Sequence, residues 1–448
     1  MRGIKVFVTW LMVLSCGSVL FGCAVIKPET SRPQLIGETV YEQFAFFSDT
    51  LGARTHYREA EWPEREEFSL EFNAGASLDE SLHPLIKQTA SLRDGHTSLP
   101  YSIVGEYPGI RLRYFAGEGI AVEEVSSCCS LQPGDRILAV CKADSPDAAV
   151  PEENWEELFR EAKQLIPASS EEAGRQYAAN SIIAVAVMDG EYSHIGFRIE
   201  RQGEVLTEFV EKRSHDHAFE QPDEVYRKEI TDGPNLISYI CIPTMRYLDD
   251  IDRIDRKINA SLDSDGIILD LRGNTGGSSA VSEYLISRFA LTEEFSFLIV
   301  SGSTGEVDRT IGPPPPRGKQ YAGPTAVLVD HHVFSAAHHF ASLCRYVNDR
   351  GFRDTPFLLI GGKTGGGSGV AERFVFGEIV MYITTSIMMN PQFEHYERGI
   401  YPDVDVLAEL CIEDLRSSPV LHPVPSEQFH SAWRNDPVIQ AALEHLEE

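Results

Sequence analysis

Three short apolar runs constrain this chain more than anything else in it: Gly266-Ile267-Ile268-Leu269-Asp270-Leu271, Ala326-Val327-Leu328-Val329-Asp330 and Phe357-Leu358-Leu359-Ile360-Gly361. Continuous apolar runs separated by helix-length segments read as strands covered on both faces, the pattern of an α/β layer fold. Val281–Phe289 and Ala336–Val347 have helical spacing, and Pro313–Pro316 is a stiff loop between them.

Each run feeds a distinctive loop. The first gives Arg272-Gly273-Asn274-Thr275-Gly276-Gly277, the second His331-His332-Val333-Phe334-Ser335-Ala336-Ala337, the third Gly362-Lys363-Thr364-Gly365-Gly366-Gly367. Open α/β sheets bind ligands beyond the carboxyl ends of their strands, so the three loops are expected to meet at one site. Ser335 opens the helix Ala336–Val347, where free N–H groups and the helix dipole favour developing negative charge. The Ala336 N–H is a candidate oxyanion donor, and Gly276-Gly277 can bring a second N–H close because no Cβ intervenes. Taken alone, a serine at a helix start is more often an N-cap than a nucleophile.

The N-terminus carries Arg2 and Lys5, then an apolar run from Val6 to Phe21, then Gly22-Cys23. That is a signal-peptide pattern for residues 1–23, and Leu20-Phe21-Gly22-Cys23 resembles a bacterial lipobox with Cys23 as the lipidated residue. Cys16 is a second candidate, but it would leave an apolar stretch at the mature N-terminus. An exported cell-envelope lipoprotein, periplasmic or at the surface, is expected, tethered by residues 24–36. The net charge of −29 repels phosphate backbones, which excludes nucleic acid as a partner class. The six later cysteines are scattered and include no CxxC pair, so no thiolate metal site is expected. Cys128 or Cys129 could pair with Cys141. His331-His332 and His338-His339 invite a metal reading, but adjacent helical histidines point about 100° apart. They read instead as a polar rim or substrate contact, and no metal or cofactor is expected.

Residues 37–105 read as a helical region ending in the Arg93-Asp94-Gly95-His96-Thr97 turn. Residues 106–213 alternate apolar and polar at Ile110, Leu112 and Tyr114, with further strands at Ile120–Val122 and Ile195–Glu200. Helices are expected at Trp155–Leu165 and Glu171–Ala178. Leu131-Gln132-Pro133-Gly134-Asp135-Arg136-Ile137-Leu138 resembles the core run of a PDZ domain. That resemblance implies peptide binding by strand addition, with the carboxylate near Gly109-Ile110.

Asp270-Leu271-Arg272-Gly273-Asn274-x-Gly276-Gly277, Phe334-Ser335-Ala336-Ala337, Gly361-x-x-Thr364-x-Gly366 and Arg398-Gly399-Ile400-x-Pro402-Asp403 follow one another in order. Together they resemble the tail-specific (C-terminal-processing) protease and tricorn-core family of serine peptidases, over roughly residues 40 to 410. The resemblance implies a multidomain α/β chain with a crotonase-like, spiral-sheet catalytic core (214–415), a PDZ-like domain and a C-terminal tail (416–448). It also implies Ser335 as nucleophile, with Thr364 in the substrate-binding loop. Tail-specific proteases activate their serine with a lysine at the position held here by Gly367; Lys363 lies nearby but precedes Thr364. The tricorn-like branch uses a histidine and a late glutamate, which implies His96 as base and Glu397 as the orienting carboxylate. The expected function is hydrolysis of peptide bonds through an acyl-enzyme on Ser335. The rival readings are a non-catalytic peptide- or lipid-binding protein on the same scaffold and an esterase-type acyl hydrolase.

Overall fold

A computed structural model describes residues 86–446, apart from 88, 100–108, 127–129, 144, 146–152, 188–191, 212–218, 233, 291–295, 303, 377–378 and 418. The signal segment with Cys16 and Cys23, the tether, most of the expected N-terminal helical region, and Cys128 and Cys129 lie outside the described residues.

The first unit is an antiparallel sheet of β1 (Ile110–Phe115), β2 (Gly119–Val125), β3 (Arg136–Ala143), β4 (Glu153–Asn154), β5 (His194–Arg201) and β6 (Glu204–Glu211). Its order is β1-β2-β3-β5-β6, with β4 on β3. The Pro-Gly-Asp run makes the turn into β3: Gly134 takes φ 85°, and buried Asp135 accepts from the Gln132 amide at 2.7 Å and pairs with Arg201 at 2.6 Å. Two helices pack on this sheet, α1 (Trp155–Leu165) and α2 (Glu171–Ala186), N-capped by Asn154 and Ser170. Helix α2 runs past the Ala178 boundary expected from spacing. Ala178, Ala179, Ile182 and Ile183 all enter the core shared with β1 and β3, so burial carries the helix on.

The second unit begins with a hairpin, β7 (Tyr226–Asp232) and β8 (Asn235–Cys241), then α3 (Asp249–Asn259), β9 (Gly266–Asp270) and α4 (Ser279–Ser287). A second hairpin, β10 (Phe297–Ser301) and β11 (Val307–Ile311), precedes β12 (Thr325–Val329), α5 (Ser335–Arg350), β13 (Phe357–Gly361) and a long hairpin, β14 (Gly369–Phe376) and β15 (Ile379–Met389). The three apolar runs are β9, β12 and β13, parallel and in register, with Val327 opposite Leu269 and Leu359. They lie in a sheet of order β13-β12-β9-β8-β7.

Side chains alternate across this sheet. Ile267, Leu269, Val327, Val329 and Leu359 pack with α4 and α5, while Ile268, Ala326, Leu328 and Ile360 pack with the C-terminal segment. Residues beyond 415 are therefore not an appended tail. Phe429, Trp433 and helix α6 (Pro437–Leu446) supply the second face that a continuously apolar parallel sheet requires. Asp436 locks them in place: with Asp270 it holds Arg272, all three buried, at 2.7 and 2.6 Å.

The third sheet, β11-β10-β15-β14, is antiparallel and brings the N-terminal region to the core. Ser98 exchanges both backbone hydrogen bonds with Tyr382 on β15, at 3.0 and 2.9 Å. Thr97 Oγ1 accepts from the Thr384 amide at 3.0 Å.

Candidate active site

The three strand-end loops do meet. Phe334 bridges Gly366, and Gly276 is pressed against the Ser335 loop: a Cβ there would sit 2.8 Å from Ser335 Cβ and 2.7 Å from the Ala336 nitrogen. Gly277 is equally constrained, its φ of 145° and a virtual Cβ 2.3 Å from Met245 leaving room for hydrogen alone. Ser335 itself has φ 53°, a conformation costing about 1–3 kcal/mol for a non-glycine residue and typical of side chains held for chemistry. Its amide donates to the Gly366 carbonyl at 3.2 Å, which fixes the strained turn.

Ser335 is not acting as a cap. Helix α5 begins without a side-chain cap bond, and the Ser335 hydroxyl lies 2.9 Å from His96 Nε2. With the ring proton on Nδ1, Nε2 accepts from the hydroxyl, as a general base must. The imidazole is 5% exposed and packs on the Phe334 ring, centroids 4.5 Å apart. The Asp-Gly turn presents it: buried Asp94 accepts from the His96 amide at 3.0 Å and from Thr97 Oγ1 at 2.6 Å.

Glu397 is buried beside this pair. Its Oε2 accepts the amides of Ser368 and Gly369, at 2.6 and 3.1 Å, and a Cβ on Gly369 would lie 3.4 Å from His96 Nδ1. Burial and the neighbouring Asp94 charge push its pKa up to about 7; His96, Ser169 and the Ser368 amide pull it back toward ionisation. Carboxylate, imidazole and hydroxyl thus stand together in a water-poor cluster.

The remaining expected residues divide. The Ala336 amide lies in the first turn of α5, with no helical carbonyl to receive it, next to Gly276. The Gly276 amide, by contrast, donates to Asn274 Oδ1 at 2.8 Å, so it braces the loop in this state. Thr364 is fully buried, its hydroxyl bonded to the Ile400 amide at 2.8 Å and to His338 Nδ1 at 3.0 Å. It ties two loops together and does not face a substrate. His331, His338 and His339 are buried as well, not a polar rim; burial holds the last two near pKa 3, and therefore neutral. Lys363 extends over the Tyr401 ring, 4.3 Å from its centroid.

Gly109 and Ile110 are buried at the start of β1. Beyond them the free edge of β1 is already taken. The Leu112 and Tyr114 amides donate to Asn180 Oδ1 and Gln176 Oε1 of α2, at 2.7 and 3.0 Å, and Gln176 Nε2 donates to the Tyr114 carbonyl at 3.0 Å. Strand addition along β1 is blocked in this state because two carboxamides occupy the backbone groups a peptide would use. Nothing in the sequence signals this, nor Ser169, which binds the turn carrying His96; Arg398 stands in a motif without an assigned role and bonds the Arg93 and Ser169 carbonyls.

The family model for peptidase family S41 matches residues 236–406, a span that holds Ser335 and Glu397. The chain carries a serine peptidase domain of family S41. His96 lies upstream of the matched span. No curated protein sequence matched the chain. Among solved structures, mature CPAF complexed with lactacystin superposes with a TM-score of 0.65 at 13% identity, covering 90% of this chain and 98% of that one. Mature CPAF alone gives 0.60 at 13% identity, over 83% and 93%. At such identity the likeness speaks to the fold: the S41 domain and the units before and after it share one architecture with those chains.

Proposed function

We propose that this S41 peptidase hydrolyses peptide bonds through an acyl-enzyme on Ser335, with His96 as base and Glu397 as the carboxylate that steadies it. The observation that carries the reading is the 2.9 Å contact between His96 Nε2 and the strained Ser335 hydroxyl. Ser335 Oγ attacks the peptide carbonyl as its proton passes to His96 Nε2. The Ala336 amide at the helix N-terminus stabilises the oxyanion. His96 returns the proton to the leaving amine, and water, activated by the same imidazole, releases the acyl group. Glu397, when ionised, stabilises the imidazolium formed at each transfer.

A Ser-Lys arrangement is disfavoured by two facts about this chain. Gly367 stands where the lysine would be, and Lys363 is engaged with Tyr401. The catalytic core is read as crotonase-like and the β1–β6 unit as PDZ-like; the turn at Gly134 and the helix α2 alongside β1 support the latter. With its edge filled, that unit is proposed to brace the active site in this state. Export as a Cys23-anchored lipoprotein is proposed from the N-terminal pattern alone, and a Cys23→Ala variant that still incorporates a fatty-acid label at its N-terminal region would refute it.

The direct test of the catalytic reading is a fluorophosphonate probe on the full chain. Labelling that vanishes in Ser335→Ala is expected, and a folded wild type that never labels would overturn the assignment. Turnover of a peptide library against short-chain esters separates peptidase from esterase activity.

A further inference from the structure

We propose that Ser169, carried on the loop between α1 and α2, is a positioning residue that holds His96 and Glu397 in working register. The inference rests on the His96–Ser335–Glu397 reading above.

Ser169 belongs to the β1–β6 unit, well outside the matched peptidase segment, yet it is 2% exposed and sits at the catalytic turns. Its hydroxyl accepts the Gly95 amide at 2.9 Å, one residue before the base. Its carbonyl accepts Arg398 Nη1 at 3.2 Å, one residue after the carboxylate, and the same nitrogen donates to the Arg93 carbonyl at 2.5 Å. The turn has no slack: a Cβ on Gly95 would lie 2.7 Å from the Phe334 ring on one side and 3.4 Å from Ser169 Oγ on the other.

A hydroxyl has one proton to give. Since Oγ accepts from Gly95, its own proton remains for an acceptor, and the nearby Glu397 carboxylate, whose raised pKa Ser169 helps to pull back, is the acceptor proposed for it. Glu397 Oε2 is already occupied by two amides, whereas Oε1 is buried with no hydrogen-bond partner among the described residues, an open acceptor to which the Ser169 proton is proposed to turn. Ser169 therefore favours the ionised carboxylate while fixing the turn that carries the imidazole. The α1–α2 loop of the β1–β6 unit would thus complete the active site from outside the S41 segment.

The test is the pH dependence of the second-order rate of fluorophosphonate labelling, measured on full-length Ser169→Ala and Ser169→Thr beside wild type. Ser169→Ala should label about fivefold more slowly at pH 7, recover toward wild type by pH 9, and show its acid limb displaced upward by about one unit. Ser169→Thr keeps the donor and should hold the wild-type acid limb. An unmoved acid limb in soluble, folded Ser169→Ala overturns the proposal, as does a Thr variant displaced as far as the Ala variant. If Ser169→Ala does not fold, the Thr profile alone decides by the same criterion. Failure of the underlying reading looks different, because wild type would then not label, or Glu397→Gln would label like wild type.

Discussion

The His96 ring fills the space that a side chain at position 367 would need. A Cβ on Gly367 would lie 2.9 Å from His96 Cε1 and 2.4 Å from the Phe334 ring, and the residue takes φ 90°. Histidine here and lysine there are mutually exclusive on this backbone. Gly367→Ala should therefore displace the imidazole and lower fluorophosphonate labelling at least about a hundredfold, within the range a positioned base supplies. Gly367→Lys should do the same and create no new activity. Labelling within threefold of wild type in either variant would show that the ring tolerates the intrusion.

His96 and Lys363 can be set against each other directly. His96→Ala removes the imidazole bonded to the Ser335 hydroxyl and should lower kcat about 10³-fold or more. Lys363→Ala loses a surface cation–aromatic contact and should change activity less than about twofold. The reverse result would move the site to the lysine branch.

Glu397 should be costly to the fold and necessary to the chemistry. Its folded pKa is raised from 4.5 to about 7, so between those values the folded state retains a proton that the unfolded state has lost. Stability then falls as pH rises through that window, by on the order of 3 kcal/mol for this group. Glu397→Gln keeps an acceptor for the Ser368 and Gly369 amides but abolishes that slope. Its midpoint temperature should drop less than wild type's between pH 5 and pH 8, while labelling at pH 8 falls at least about tenfold. In wild type, labelling should climb from pH 6 to pH 8 as the carboxylate ionises. Parallel stability profiles for the two proteins would contradict the assignment.

What could be read from the sequence follows from how local each signal was. Runs buried on both faces, such as Ala326–Val329, announce themselves by composition, and the Pro-Gly-Asp turn and the start of α1 at Trp155 are set by neighbouring residues. The contacts that build the site are not local. Ser335 and His96 are 239 positions apart, and Ser169 reaches Gly95 across 74. The His96–Ser335 pairing was expected only because ordered motifs resembled a known family; no motif pointed to Ser169. The substrate-binding role of Thr364 follows only from the family motif in which it stands, and its burial depends on Ile400 and His338, which its own sequence neighbourhood does not reveal.

The 416–448 segment lies outside the family resemblance, so its structural part is legible only in the fold, and that part is testable. Asp436→Ala leaves Arg272 buried with Asp270 alone, and breaking a buried ion pair typically costs about 3–5 kcal/mol. A drop of that size in the urea-unfolding free energy is expected, whereas Arg434→Ala at the surface should be near neutral. An Asp436→Ala protein as stable as wild type would mean that the second face of the sheet does not depend on this pair.

The filled edge of β1 yields the last expectation. If the Gln176 and Asn180 carboxamides stand in for a peptide strand, the Leu112 and Tyr114 amides should exchange slowly with solvent in the full chain. In Ser335→Ala, which removes cleavage as a complication, peptides with free carboxyl ends should give no added protection of the Leu112 and Tyr114 amides, whatever binds at the active site. The Gln176→Ala, Asn180→Ala double variant loses the caps without touching the core stripe of Ala178, Ala179, Ile182 and Ile183. Its β1 edge should exchange at least about tenfold faster, equivalent to about 1.4 kcal/mol, and it should become competent for strand addition. Rapid exchange at Leu112 and Tyr114 in wild type, or peptide protection of these amides without the double substitution, would show that α2 leaves the edge open in solution.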